Sequence, residues 1–175
     1  MAIPRIETDR LILRGHETRD FELCAKMWAD PVTTRYTIGE PSNAHRTWMR
    51  MLSYRGLWEL TGFGYFAVEE KASGLYVGDV GFADYKRALD PPVPAIQGLP
   101  EIGWALAAHA HGRGYATEAL RAVVTWGDRE LSSPRTACLI SGENTASLRV
   151  AEKLGYREIG KTSNGGLPGL VFTRG

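Results

Sequence analysis

The chain has 175 residues, 43% of them hydrophobic and 23% charged, and a formal net charge of +1. That length suits a single domain (1–175) whose core needs neither metal nor disulfide, and the near-zero charge argues against a nucleic-acid partner or an anionic lipid surface. No stretch approaches the ~20 apolar residues of a membrane span, and arginines and acids stand where a signal peptide needs an apolar run, so a cytoplasmic location is expected.

Along the chain, DRLILRG (residues 9–15) alternates apolar and polar and ends in glycine, as a strand does. TRDFELCAKMWADP follows, with Thr18 as the expected N-cap, Phe21, Cys24, Ala25 and Trp28 at helical spacing, and Pro31 as its stop. PSNAHRTWMRMLSYRGLWEL reads as a second helical region broken near Gly56, with Trp48, Met51, Leu52 and Trp58 as a buried stripe. Two strand patterns come next, GYFAVEE and LYVGDVGFADYK, joined by the turn KASG. Residues 87–100 hold four of the nine prolines and read as a long surface loop of the kind that serves as a lid.

EIGWALA is a fourth strand and GYATEALRAVVTWGDREL an amphipathic helix with Ala116, Leu120, Val123 and Val124 on one face. RTACLIS, YREIGKT and GLVFTR complete seven strands, and NTASLRVAEKLG is a helix closed by Gly155. The order predicts an α/β domain with a mixed, mostly antiparallel sheet of about seven strands and helices on both faces. Cys24 and Cys138 are isolated in apolar stretches, which predicts core positions; no metal-ligand spacing is present, and no metal is expected.

Between the fourth strand and its helix the chain reads HAHGRGYATEAL (residues 109–120). A helix N-terminus offers unpaired N–H groups and partial positive charge. Glycines there let an anion approach the backbone, and Arg113 can add a charge-assisted contact. The spacing fits neither GxxxxGK[ST] nor GxGxxG, and GRG before a helix is by itself equally the pattern of a plain turn.

In context the sequence resembles the GCN5-related N-acetyltransferases (GNAT), in the branch of the ribosomal-protein N-terminal acetyltransferases. The likeness rests on HGRGYA followed by TEAL, on NTASLRVAEKLGY (residues 144–156), on TDRLILR (residues 8–14) and on EIGW (residues 101–104), in order over nearly the whole chain. Two positions depart from the family pattern: His111 replaces the usual Gln or Arg, and Ala151 stands where many relatives carry a catalytic Tyr.

The resemblance implies direct transfer of an acetyl group from acetyl-CoA to an amine in a ternary complex. It assigns the pyrophosphate to His111, Gly112, Arg113, Gly114, Tyr115, Ala116 and Thr117, and the pantetheine and oxyanion to the backbone of Trp104, Ala105 and Leu106. Asn144 and Ser147 lie beside the cofactor. Ser147 is the candidate proton donor to the thiolate, and Glu101 the candidate base, ~10 Å along the strand from Trp104 and acting through water. Tyr36, Trp58 and Tyr85 are candidate walls for the acceptor, a peptide N-terminus or a small-molecule amine. A monomer or homodimer is expected. The alternative is a non-catalytic acyl-CoA-binding regulatory module.

Overall fold

The computed structural model describes residues 2–175, so the first residue of the expected domain lies outside it. Strands β1 (Ile6–Glu7) and β2 (Leu11–Arg14) lead through a 3-10 turn (Thr18–Asp20) into helix α1 (Phe21–Ala29), the one-turn α2 (Pro31–Thr34) and the long α3 (Ala44–Thr61). The hairpin β3 (Tyr65–Glu70) and β4 (Leu75–Ala83) follows, then β5 (Leu89–Asp90), β6 (Glu101–Leu106), α4 (Tyr115–Glu130), β7 (Thr136–Ile140), α5 (Thr145–Lys153) and the hairpin β8 (Arg157–Asn164) and β9 (Leu167–Arg174).

The described residues form one nine-stranded sheet in the order β1-β2-β3-β4-β6-β7-β9-β8-β5. The two strands beyond the expected seven, β1 and β5, are two residues long and lie at the two edges. Neither has a period to read. β5 lies inside the proline-rich segment, where Leu89 and Asp90 pair with Asn164 and Ser163 of β8, an edge position that leaves the prolines outside the ladder.

Period-two alternation in β3 sets the two helical layers. Phe66 and Val68 enter the main core with Leu120 and Val123 of α4, while Ala67 enters a second cluster with Cys24 and Trp28 of α1 and Met51 of α3. Helices therefore cover both faces, and both cysteines are buried. Helix α3 runs unbroken through Gly56, because its buried stripe is Thr47, Met51, Tyr54 and Trp58 and continues across the glycine. Leu52, expected in that stripe, is exposed. The first helical turn opens at Glu17 rather than Thr18: Asp20 accepts from the Glu17 N–H at 2.8 Å and completes a capping box.

What positions the site is the junction of β6 and β7. β4 and β6 pair antiparallel over six positions, but β6 and β7 run parallel and meet in register only at Glu101 and Ala137. Beyond that pair the strands diverge, and the sheet opens into a V between two antiparallel halves.

Candidate active site

The V presents backbone donors on one wall. Ala107 N–H donates to Val77 O at 2.9 Å. Antiparallel alternation then turns the N–H groups of Gly103 and Ala105 toward β4 and those of Trp104 and Leu106 away from it. Trp104 and Leu106 therefore face the opening, whereas Ala105, the middle of the three expected donors, belongs to the β4 ladder. Gly103 has a steric reason to be glycine: a Cβ there would lie 2.0 Å from the Tyr65 hydroxyl, which packs over the strand.

At the far end of β6 the chain makes a 3-10 turn (Ala108–Ala110) and enters α4. Gly112 and Gly114 hold left-handed backbone with φ of +71° and +78°, which favours glycine. Gly114 is the N-cap of α4, and no side chain caps the helix. The first-turn N–H groups of Tyr115, Ala116 and Thr117 are thus left for an outside acceptor. This is a cradle that fits a pyrophosphate.

The side chains around the cradle are engaged within the protein. His111 Nε2 lies 2.8 Å from Leu106 O and ties the loop back to β6. Arg113, which can add a charge-assisted contact to phosphate, pairs with Glu70 at 2.8 Å. It also stacks on Tyr115, with Arg10 against the same ring at 4.6 Å. The glutamate of TEAL explains itself: Glu118 accepts from Thr8 Oγ1 at 2.6 Å and from Arg10 N and Nε at 2.9 and 2.7 Å. TDRLILR and TEAL are one structural unit split by a hundred residues of chain.

A cleft of about 400 Å³ joins the V to the space beneath α3, and it brings together Glu101, Trp104, Ala105, Asn144, Ser147, Tyr36 and Tyr85. Asn144 caps α5, its side chain accepting from Ser147 N at 3.1 Å. Ser147 Oγ accepts from Trp104 Nε1 at 3.2 Å, across the V. Its own hydroxyl hydrogen is then directed elsewhere. Glu101 is buried and takes two bonds of 2.7 Å from Arg87. Burial would lower the Arg87 pKa, but Glu101 raises it above the ordinary value.

Trp58 does not belong to the acceptor wall. It is 2% exposed, donates from Nε1 to Tyr65 O at 3.0 Å, and packs edge-on against Phe66 and Trp126. Pro92 and Pro94 also miss the cleft: they line a separate cavity that shares only Tyr85, Arg87 and Glu101 with it.

Arg50, Tyr54, Tyr65 and Arg87 line the cleft and were not singled out from the sequence. Tyr54 and Tyr65 stack at 4.4 Å between centroids, and Tyr85 OH donates to Tyr65 OH at 2.8 Å. Burial raises all three tyrosine pKa values, that of Tyr85 to about 12, so all stay protonated. One signal was legible: Arg50 and Tyr54 are four residues apart, on the flank of a helix whose neighbours Met51 and Trp58 are apolar.

A strand pair splayed at a glycine-cradled helix, with a polar cleft at its mouth, is an arrangement suited to holding a phosphate-bearing ligand beside a second reactant. The family model described as the Acetyltransferase (GNAT) domain matches residues 10–157, and the chain belongs to that family of acetyltransferases. It is similar to the protein YkkB of Bacillus subtilis, 33% identical over 158 residues that cover 88% of this chain and 86% of that one. The crystal structure of an acetyltransferase from Agrobacterium tumefaciens superposes with a TM-score of 0.83 at 27% identity, covering 100% of this chain and 96% of that one. The RimL ribosomal L7/L12 α-N-protein acetyltransferase, solved in complex with coenzyme A, gives a TM-score of 0.76 at 15% identity over 98% and 97% of the two chains. That last likeness is one of fold.

Proposed function

We propose that the protein transfers an acetyl group from acetyl-CoA directly to a primary amine held in the cleft, with a protein N-terminus or a small-molecule amine as acceptor. The observation that carries this reading is the capless N-terminus of α4, preceded by two left-handed glycines and set beside the divergence of β6 and β7. The RimL complex with coenzyme A supports the donor, and a neighbour from Salmonella typhimurium described as modifying the N-terminal serine of ribosomal protein L7/L12 supports the acceptor.

Acetyl-CoA supplies the acyl thioester. In this reading the N–H groups of Gly112 to Thr117 hold the pyrophosphate, with the side chains of His111 and Arg113 fixing the loop rather than touching phosphate. The N–H groups of Trp104 and Leu106 receive the acyl oxygen, where preorganised donors stabilise developing negative charge. Ser147, oriented by Trp104 and Asn144, gives a proton to the departing sulfur. Glu101 accepts the amine proton through water: each carboxylate oxygen keeps a lone-pair site beyond the one that Arg87 occupies. A base in this setting suits an α-amino group, whose deprotonation at pH 7 costs ~1 kcal/mol, better than a lysine at ~4–5 kcal/mol.

The bidentate pair with Arg87 favours a second role for Glu101, as the anchor that keeps Arg87 against Tyr85. A free-thiol assay with acetyl-CoA and a panel of amines tests the proposal. Amine-dependent release of CoA supports it. Tight CoA binding without release for any amine assigns the chain to the non-catalytic binding module instead.

A further inference from the structure

The cleft holds an arginine that forms no ion pair among the described residues. Two arginines and one carboxylate line it, and the carboxylate, Glu101, is committed to Arg87. Arg50 is left. It stands one helical turn before Tyr54 on α3, and its guanidinium carbon lies 3.8 Å from the centre of the Trp28 ring. Stacking satisfies the face of a guanidinium but none of its five N–H donors. Arg50 Nε is buried and has no hydrogen-bond partner among the described residues.

The buried carboxylate on the same side of the sheet makes no ion pair with Arg50 and has its own partners. Asp79, fully buried, accepts from Trp28 Nε1 at 2.9 Å, Tyr76 OH at 2.7 Å and His16 Nε2 at 2.7 Å. Tyr54 stands beside Arg50, whose charge and hydrogen bond lower the Tyr54 pKa against the larger upward push of burial. Around the guanidinium, then, the cleft offers neutral tyrosine hydroxyls and no anion.

We infer that Arg50 is the anion anchor of the acceptor pocket: the amine that enters carries a carboxylate, gripped by the Arg50 fork while the amine reaches toward Gly103 and Trp104. The inference rests on the reading of the cleft as an amine acetylation site and narrows its substrate class to amino-carboxylates. Forked pairing of guanidinium with carboxylate fits the unpartnered Nε of Arg50 and the donors that Tyr54 does not take. The same charge disfavours diamines and other polycations, which meet an uncompensated positive group. Two sources share the chemistry, a free α-amino acid and a peptide N-terminus with an acidic residue close behind it.

Four acceptors, compared per concentration of unprotonated amine, decide the matter: an α-amino acid, its carboxamide, a C-terminally amidated tetrapeptide with Asp at its second position, and the same peptide with Asn there. Wild-type protein should prefer the acid over its neutral counterpart in at least one pair by ~30-fold in kcat/KM, mostly through KM. In R50M, which keeps a side chain to stack on Trp28, that ratio should fall to within about threefold of unity. R50K, which keeps the charge without the fork, should retain part of the preference and guards against a folding defect in R50M. The pair that shows the preference identifies the source. Ratios near unity for both pairs in wild type, or a ratio that survives in R50M, overturn the anchor.

If no amine in a wider panel releases CoA, the acetylation reading has failed, and calorimetric titration of the same four compounds still judges the anchor. Binding of an acid but not its neutral counterpart, lost in R50M, upholds it. Heat from neither, or equal heat from both, sinks it.

Discussion

Glu101 and Arg87 meet through two parallel bonds of 2.7 Å, Nε to Oε2 and Nη2 to Oε1, and together form the partition between the cleft and the cavity beneath the proline-rich segment. Glu101→Gln separates the two roles open to this carboxylate. As proton acceptor, its loss should slow turnover more at pH 6.5 than at pH 9, because free amine becomes plentiful at high pH. Stability at pH 7 should fall by about 2 kcal/mol, less than for a fully buried pair since a quarter of the Arg87 side chain meets solvent. Urea unfolding and pH–rate profiles on the same variant give both numbers. A rate loss equal at all pH values assigns Glu101 to the anchoring of Arg87 alone.

The phosphate cradle is tested by a pair of glycines with the same backbone and different surroundings. Gly114 at φ +78° caps α4, and Gly74 at φ +68° turns the β3–β4 hairpin. Replacing either with Ala should cost about 1 kcal/mol, the strain of left-handed backbone. Only Gly114→Ala should also weaken CoA binding, by ~10-fold or more, because in the proposed reading its Cβ would stand where phosphate oxygens approach. Calorimetry on both variants decides, and equal CoA affinity in the two disproves the loop assignment.

Glu118 joins the first strand pair to the first turn of α4, through Thr8 and Arg10. Glu118→Ala should therefore cost about 2–3 kcal/mol in stability, the loss of several charge-assisted hydrogen bonds at a partly buried site. It should also raise the Kd for CoA, since Arg10 Nη1 donates to Arg113 O within the cradle at 2.9 Å. Glu118→Ala and Arg10→Ala should be strongly non-additive in a double-mutant cycle, and simple additivity would show that the two residues act separately.

Much of this organisation was legible before the structure. The strands with clear alternation, the two helices of the second half and the glycine loop lie where their periodicity and turn residues put them. What escaped reading had physical causes. β1 and β5 are two residues long and exist only by pairing with neighbours, so no local pattern encodes them. Gly56 reads as a break by propensity, yet the buried stripe of α3 overrides a cost of about 1 kcal/mol. Trp58 has the aromatic character of an acceptor wall yet lies in the core, while nothing in the local sequence beyond its spacing from Tyr54 sets Arg50 apart from the other arginines of α3. Which side of a helix meets a cleft depends on how the helix packs on the sheet. The β6–β7 divergence is a tertiary feature, entering the sequence only through the family likeness.

The acid limb of stability should trace to the group around Arg14. Burial alone would raise the Asp20 pKa, but two bonds of 2.8 Å from Arg14 and the Glu17 N–H hold it below the ordinary value. A carboxyl whose folded pKa lies below its unfolded value of ~3.9 contributes stability above about pH 5 and loses it as pH falls through the folded value. Unfolding free energy should thus stay level between pH 5 and 7 with respect to this group and drop below about pH 4. Asp20→Asn should lower stability at pH 7 by about 2 kcal/mol and make the acid decline shallower. An unchanged acid limb in the variant would move the effect to Glu118, whose pKa is also lowered.

Ser147 offers the sharpest separation of binding from chemistry. Its backbone N–H is held by Asn144 and its hydroxyl oxygen accepts from Trp104 Nε1 at 3.2 Å across the V, which leaves the hydroxyl hydrogen free to be donated. A group that donates its proton only as the thiolate leaves contributes to the transition state and little to the ground state. Ser147→Ala should therefore lower kcat by ~10–100-fold with a small change in the KM for acetyl-CoA. Trp104→Phe removes the orienting N–H but keeps the hydroxyl, and should cost less in kcat than Ser147→Ala. Because Ala151 leaves no tyrosine to compensate at that helix position, the Ser147→Ala loss should persist across pH 6.5–9. A loss confined to KM makes Ser147 a cofactor contact, and a Trp104→Phe loss as large as that of Ser147→Ala places the essential contact on the indole.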